Sequence, residues 1–217
     1  YSDKPNTGKL NERLTKHIHV FSPDLSTKDA GTWLTSLKTA LNIYYPNRQP
    51  LYDFYTYVLG MDHTLRGLID KRHNTMLNKR LLYKDDENKV DAMDDFIRSK
   101  RFTELRGALA WTRRWGITGI EFVQGKDFDW RELPRKHIKP KWQIISVEQN
   151  GIEGYDYTQF ANIWIIGDPQ DLGDLLSCSL AAAYKKDAIG DWAELIEVFG
   201  RPTQVIYYDL FNPQTQK

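Results

Sequence analysis

The chain has 217 residues, 41% apolar and 27% charged, with a formal net charge of +1. That length and balance suit a folded domain with a proper core, and the near-zero charge excludes a polycation that grips nucleic acid through its overall field. A lone cysteine, Cys178, excludes an internal disulfide.

Residues 1–16 are polar, contain Pro5 and Gly8, and read as a flexible N-terminal arm. His17 to Phe21 alternates weakly, as a short strand would. Ser26 and Asp29 form a pair resembling a capping box ahead of Ala30, Trp33, Leu34, Leu37 and Leu41 at helical spacing. Pro46 to Pro50 breaks that helix; a second carries Leu51, Phe54, Tyr55 and Val58 on one face and stops at Gly60. Asp62 caps a third, with Leu65, Leu68, Ile69, Arg72 and Met76 in register.

Residues 84–89 read as an acidic loop and as the only soft internal boundary. Helical spacing then runs from Val90 through Trp115 until Gly116, where a strand, Ile117 to Gln124, begins. Trp142 to Gln149 and Ile152 to Tyr157 read as a hairpin turning on Asn150-Gly151. Ile163 to Ile166 is a short strand. Gly167 to Gly173 is a loop leading into a long helix, Asp174 to Phe199, with a break expected near Gly190. A last strand covers Thr203 to Tyr208, and 209–217 is a polar tail.

Helices grouped in the first half, with strands and one long helix in the second, predict an α+β fold: a helical N-terminal half packed with a small, mostly antiparallel sheet and one long helix. The expected organisation is one domain over 17–208. The chain begins at Tyr1 and ends in the tail, so it reads as a piece of a longer protein, the tail leading to a C-terminal region not included.

The search for chemistry finds little. His17-x-His19 has a spacing that a metal could use, but no third ligand follows by motif. Asp62-His63 is better explained as a helix cap than as an acid–base pair. Cys178 sits among Leu175, Leu176, Leu180 and Ala181, which predicts a buried, inert thiol. Neither a dinucleotide-binding glycine pattern nor a Walker A motif is present. Gly167 to Gly173 precedes a helix, yet Asp168, Asp171 and Asp174 argue for a structural turn over a phosphate site. No cofactor and no enzymatic activity are expected, and no run of about 18 apolar residues suggests a membrane partner.

Two basic regions remain. Arg106, Arg113 and Arg114, with Arg98, Lys100 and Arg101, surround Trp111 and Trp115; Arg135, Lys136, Lys139 and Lys141, with Arg131, lie in a Pro-flanked segment. Cations among aromatics suit contact with nucleic-acid backbone, or with a neighbouring subunit. The residues alone therefore leave a structural protein, a non-catalytic nucleic-acid-binding module and, less favoured, a metal-dependent enzyme using His17 and His19.

One block carries a resemblance. Asp171-Leu-Gly173 before a long helix, then Lys185-Lys186, Asp191-Trp192 and Glu197-x-Phe199-Gly200-x-Pro202, resembles the Mu-like bacteriophage portal proteins. Leu51 to Arg72 is similar to that family's early helical segment, with Asp62, Leu65 and Arg72 in place. Leu109 to Phe122 is similar to its helix, glycine turn and strand, here Trp115-Gly-Ile-Thr-Gly-Ile-Glu121, although Thr118-Gly119 departs from the expected pair. The resemblance covers most of 50–208 and implies the wing-like part of a subunit from a homo-oligomeric ring, twelve-membered in mature particles, at one vertex of the phage head. It implies double-stranded DNA passing through the ring, with the terminase, capsid and head-completion proteins as partners. It places the protein in the virion, assembled in the bacterial host cytoplasm.

The same block has a physical reading. Trp192, Ile196 and Phe199 form an apolar stripe for packing, Gly200 offers a positive φ at the helix stop, and Pro202 prevents continuation. Glu197, beside that stripe, calls for a partner such as Lys185, Lys186 or Arg201.

Overall fold

The computed structural model describes residues 29–85, 88–89, 91–123 and 128–200. The arm at 1–16, the weak strand at His17 to Phe21, the strand at Thr203 to Tyr208 and Pro202 lie outside the described residues. The chain divides into two compact units, 1–183 and 184–217, with the boundary falling inside its last helix and not at 84–89.

The first unit begins with α1 (Ala30–Ala40). Its N-cap is Asp29, Ser26 lying outside the described residues: the Asp29 carboxylate accepts from the Thr32 N–H and hydroxyl, both at 2.7 Å, which satisfies an orphan amide of the first turn. Helix α2 (Gln49–Met61) has Pro50 in its first turn, where no amide donor is needed. It runs past Gly60 and ends at Asp62, whose carboxylate accepts from the Thr64 and Leu65 amides and so caps α3 (His63–Leu77) as the sequence predicts.

α2 is the centre of the unit. Leu51, Tyr52, Phe54 and Tyr55 are all buried, and burial of each such side chain contributes about 2 kcal/mol. α3, by contrast, has no buried residue and lies on the surface.

The acidic segment is not a plain loop. Strands β1 (Lys84–Asp85) and β2 (Asn88–Lys89) form a two-stranded antiparallel hairpin. The long helical stretch that follows is three helices, α4 (Asp91–Arg98), α5 (Lys100–Ala110) and α6 (Thr112–Trp115). Ser99 interrupts it, because its hydroxyl accepts from the Phe102 amide at 3.2 Å and starts α5 afresh.

One antiparallel sheet has β3 (Ile117–Val123) between β4 (Asp129–Leu133) and β8 (Ile163–Gly167), with Gly119 opposite Leu133 on one side and Ile165 on the other. The other has β6 (Ile144–Ser146) between β5 (Ile138–Lys139) and β7 (Gly154–Asp156). The expected hairpin is present, with Ile145 opposite Tyr155, but its strands are shorter and Asn150-Gly151 sits in a longer connection. β4 and β5 come from the segment that reads as basic and Pro-flanked.

The main core joins Leu51, Tyr52 and Tyr55 of α2 to Ile117, Leu133, Ile138 and Ile145 of both sheets, and to Leu172 and Leu175. A second cluster sets Phe54, Tyr57 and Val58 against Ala183; a third sets Leu105 and Ala108 against Ile120 and Trp130. The final helix, α7 (Leu175–Phe199), is continuous, and Gly190 does not break it. The architecture is α+β as expected: a helical first half, small antiparallel sheets and one long helix.

Candidate functional site

The most constrained place in the first unit is the corner where α7 starts. Three chain reversals meet there: the end of α6 at Gly116, the end of β8 at Gly167, and the turn into α7 at Gly173. All three glycines have positive φ, +82°, +118° and +82°, a region that side chains enter only with strain. A Cβ on Gly173 would lie 2.1 Å from the Arg114 carbonyl oxygen, and one on Gly116 would lie 2.2 Å from that of Asp171. Main chain therefore packs directly on main chain, and the Asp174 amide donates to the Arg113 carbonyl at 3.0 Å.

Side chains complete the corner. The Asp171 carboxylate accepts from the Gly173 amide at 2.7 Å, and that of Asp168 accepts from the Gln170 amide at 2.8 Å. The loop's acids thus build its turns, as the sequence implies. Buried Arg48 donates to the carbonyls of Asp171, at 3.0 Å, and Pro169. The Tyr55 hydroxyl donates to the Leu172 carbonyl at 3.0 Å, and Tyr52 meets Trp115 edge-on at 5.6 Å. Burial pushes the Tyr52 and Tyr55 hydroxyls up, so both stay protonated; Tyr52 accepts from Arg48 and Tyr55 donates to Leu172. Further along, Trp33 donates its indole N–H to the buried Ser179 hydroxyl at 3.1 Å.

Sequence reasoning named Gly173 and missed Arg48 and Tyr55. The available signal was an arginine just ahead of the apolar helix α2 and a tyrosine on its apolar face.

The basic residues are mostly engaged within the fold. Arg106 donates to the carbonyls of Met76 and Lys79 at 3.3 and 3.1 Å, closing the end of α3. Arg114 donates to the Ala110 carbonyl at 2.8 Å and lies 6.0 Å over the Trp111 ring. Arg113 is exposed and pairs with Asp174 at 3.0 Å. Arg101 binds Asp129 and the Trp130 carbonyl while lying over the Trp130 ring, and its hydrogen bond holds the Asp129 carboxyl below its usual range.

The 131–141 run is turned inward more than a solvated patch would be. Arg135 reaches the Ile117 carbonyl at 3.2 Å, pairs with Glu132 and lies 5.3 Å over Trp115. Lys136 pairs with Asp53, which is buried in α2. Lys139 is only 4% exposed and donates to Asn47 Oδ1 at 3.0 Å and to the Gln149 carbonyl at 2.6 Å. Lys141 remains exposed, donating to the Ile43 carbonyl. Cys178 is half-buried, not buried as its neighbours suggest. His17 and His19 lie outside the described residues.

The second unit holds the rest of the family-like block on α7. Lys185, Asp191, Trp192, Glu197 and Phe199 are exposed, and Lys186 is half-buried. Trp192 and Phe199 are 70% and 76% exposed, so the stripe they form with Ile196 is not core within this chain's described residues. Glu197 is exposed, and Arg201, one of the partners expected for it, lies outside the described residues. Gly200 does not adopt the left-handed conformation either; its contribution is room, since a Cβ there would meet the Ile196 carbonyl oxygen at 2.3 Å. No described helix is long and apolar enough to cross a membrane.

No curated protein matches the chain. A family profile does: that of the portal protein of Mu bacteriophage matches residues 52–217. The matched span is most of the sequence and contains both the glycine corner and the whole of α7. The chain belongs to the family of the portal protein of Mu bacteriophage.

Proposed function

We propose that this chain is the wing-like part of a portal subunit that works by holding shape and not by catalysis. Twelve such subunits form a ring at one vertex of the phage head, and double-stranded DNA passes through it during packaging and ejection. In this reading the ring meets the terminase, the capsid and the head-completion proteins, is assembled in the host cytoplasm and ends in the virion.

The observation that carries the proposal beyond family membership is the outer half of α7. Trp192, Ile196 and Phe199 lie on one helical face at spacings of four and three and are all more than half exposed. A contiguous exposed apolar stripe marks an interaction surface, as a subunit of a larger assembly requires. Arg113 and its neighbours Arg106 and Arg114 then serve as contacts to DNA or to the adjacent subunit, and the corner residues, with Gly173 at their centre, serve as the rigid frame.

Negative-stain imaging of the full-length protein tests this. Closed rings are expected, and a full-length variant with Trp192→Gln and Phe199→Gln should form none while remaining folded by circular dichroism. Compact monomers of the unaltered protein under assembly conditions would overturn the reading.

A further inference from the structure

Residues 40–46 and 138–142 wall a cavity of about 540 Å³, within the range of pockets that take a small ligand or a short peptide. Leu41, Ile43, Pro46 and Trp142 make it largely apolar, and three cations line it: Arg48, Lys139 and Lys141. Among the described residues, no aspartate or glutamate lines it.

Among the described residues, none of these cations is paired with a carboxylate. Arg48 donates to the carbonyls of Pro169 and Asp171 and, at 3.5 Å, to the Tyr52 hydroxyl. Lys139 donates to the Asn47 amide oxygen and the Gln149 carbonyl. Lys141 donates to the carbonyls of Ile43 and Tyr44 and lies 5.8 Å over the Trp142 ring. Several other cations of the fold meet carboxylates: Lys136 with Asp53, Arg101 with Asp129, Arg113 with Asp174. Arg48 and Lys139, buried on a largely apolar cavity without a carboxylate partner among the described residues, are costly to bury; exposed Lys141 adds a third positive charge, and an incoming anion relieves the cost.

We propose that this cavity is a docking site for an acidic peptide segment of a partner protein. Such a segment presents a carboxylate to Lys139, Lys141 and Arg48, while an adjacent apolar side chain lies against Trp142 and Ile43. Burial pulls the Lys139 ammonium down to about 8, and an arriving carboxylate restores it upward. The recess of the site favours a peptide over a nucleic-acid strand. Lys139 and Arg48 are 4% and 8% exposed, beyond the easy reach of a phosphodiester backbone flanked by sugars, whereas one acidic side chain enters between apolar walls. A second cavity that shares Lys139 and Trp142 with it is lined by Glu148 and Glu153, so an acidic ligand takes the first and not the second.

The test is a titration of the isotope-labelled 217-residue chain, followed by NMR, with four probes: acetyl-Leu-Glu-Leu-Glu-amide, its Gln counterpart, inorganic phosphate and a DNA oligonucleotide. The Glu peptide is expected to move the Trp142 indole signal, assigned with Trp142→Phe, with a Kd of about 1 mM or tighter. It should also raise the pH at which Lys139 titrates, while the Gln peptide binds at least about tenfold more weakly. Lys141→Met, at an exposed side chain and so without consequence for folding, should weaken the Glu peptide about tenfold; Lys139→Met should abolish its binding. Equal responses to the Glu and Gln peptides, no response to either, an unchanged affinity in Lys141→Met, or displacement of the Glu peptide by phosphate or by the oligonucleotide would each overturn the proposal.

Discussion

Helix α7 is one helix with two different lives. Its first nine residues bury Leu175, Ser179 and Ala183, and its root is held by the glycine corner. From Tyr184 to Gly200 no residue is buried, although this half carries the larger apolar side chains, Trp192 and Phe199 among them. The comparison separates two things that a hydrophobic pattern conflates. Apolar spacing says that a face wants a partner; only the tertiary structure says whether the same fold supplies it.

Mutations can sharpen or break that contrast. The largest effect is expected at the root. Gly173→Ala forces a Cβ into the Arg114 carbonyl at a positive φ, which should destabilise the chain by about 3 kcal/mol or more in urea unfolding. Leu175→Ala, at a side chain 1% exposed, should cost about 3 kcal/mol through the cavity it leaves. An unchanged urea midpoint for either would mean that the root is not the fixed point it looks to be.

A charge test of the first unit follows. Because burial holds Lys139 near 8 in the folded chain against 10.5 ordinarily, the unfolded chain binds more protons between those values. Stability should therefore rise as pH climbs from about 8 to about 10, by at most about 3 kcal/mol. Lys139→Met should flatten that rise; a rise that persists in the variant would assign it to other groups.

The outer half should barely respond in the isolated chain. At Gly190 an added Cβ meets nothing within 4 Å, so Gly190→Ala should stabilise the helix by up to about 1 kcal/mol, read from thermal unfolding. Phe199→Ala should change the unfolding free energy in urea by no more than about 0.5 kcal/mol. A large loss there would reveal an intramolecular partner for the stripe.

What the residues disclosed in advance follows the same divide between local and distant causes. The caps at Asp62 and the stop at Gly116 were legible because their partners lie within four residues. The hairpin of β6 and β7 was legible from alternation and from Asn150-Gly151, and strand β8 from its short apolar run. Strands β4 and β5 were not, because Arg131 to Lys141 looks like a solvated run. Lys136 finds Asp53, 83 positions away, and Lys139 finds Asn47, 92 positions away; neither leaves a trace in the neighbouring sequence. Gly173 was legible as part of a family-like motif, but its physical role depends on Gly116 and Gly167 arriving from separate segments. For Trp192 and Phe199 the helical spacing is right, and the core it suggests is not found among the described residues.

The glycine corner has a consequence for motion. Side chains at an interface exchange rotamers within nanoseconds, and a joint built from them wobbles accordingly. At Gly116 and Gly173 the contacting atoms are backbone, and backbone offers no rotamers to exchange. The direction in which α7 sets out is therefore held by close main-chain packing, and a mechanical load arriving at its first turn meets a stiff joint.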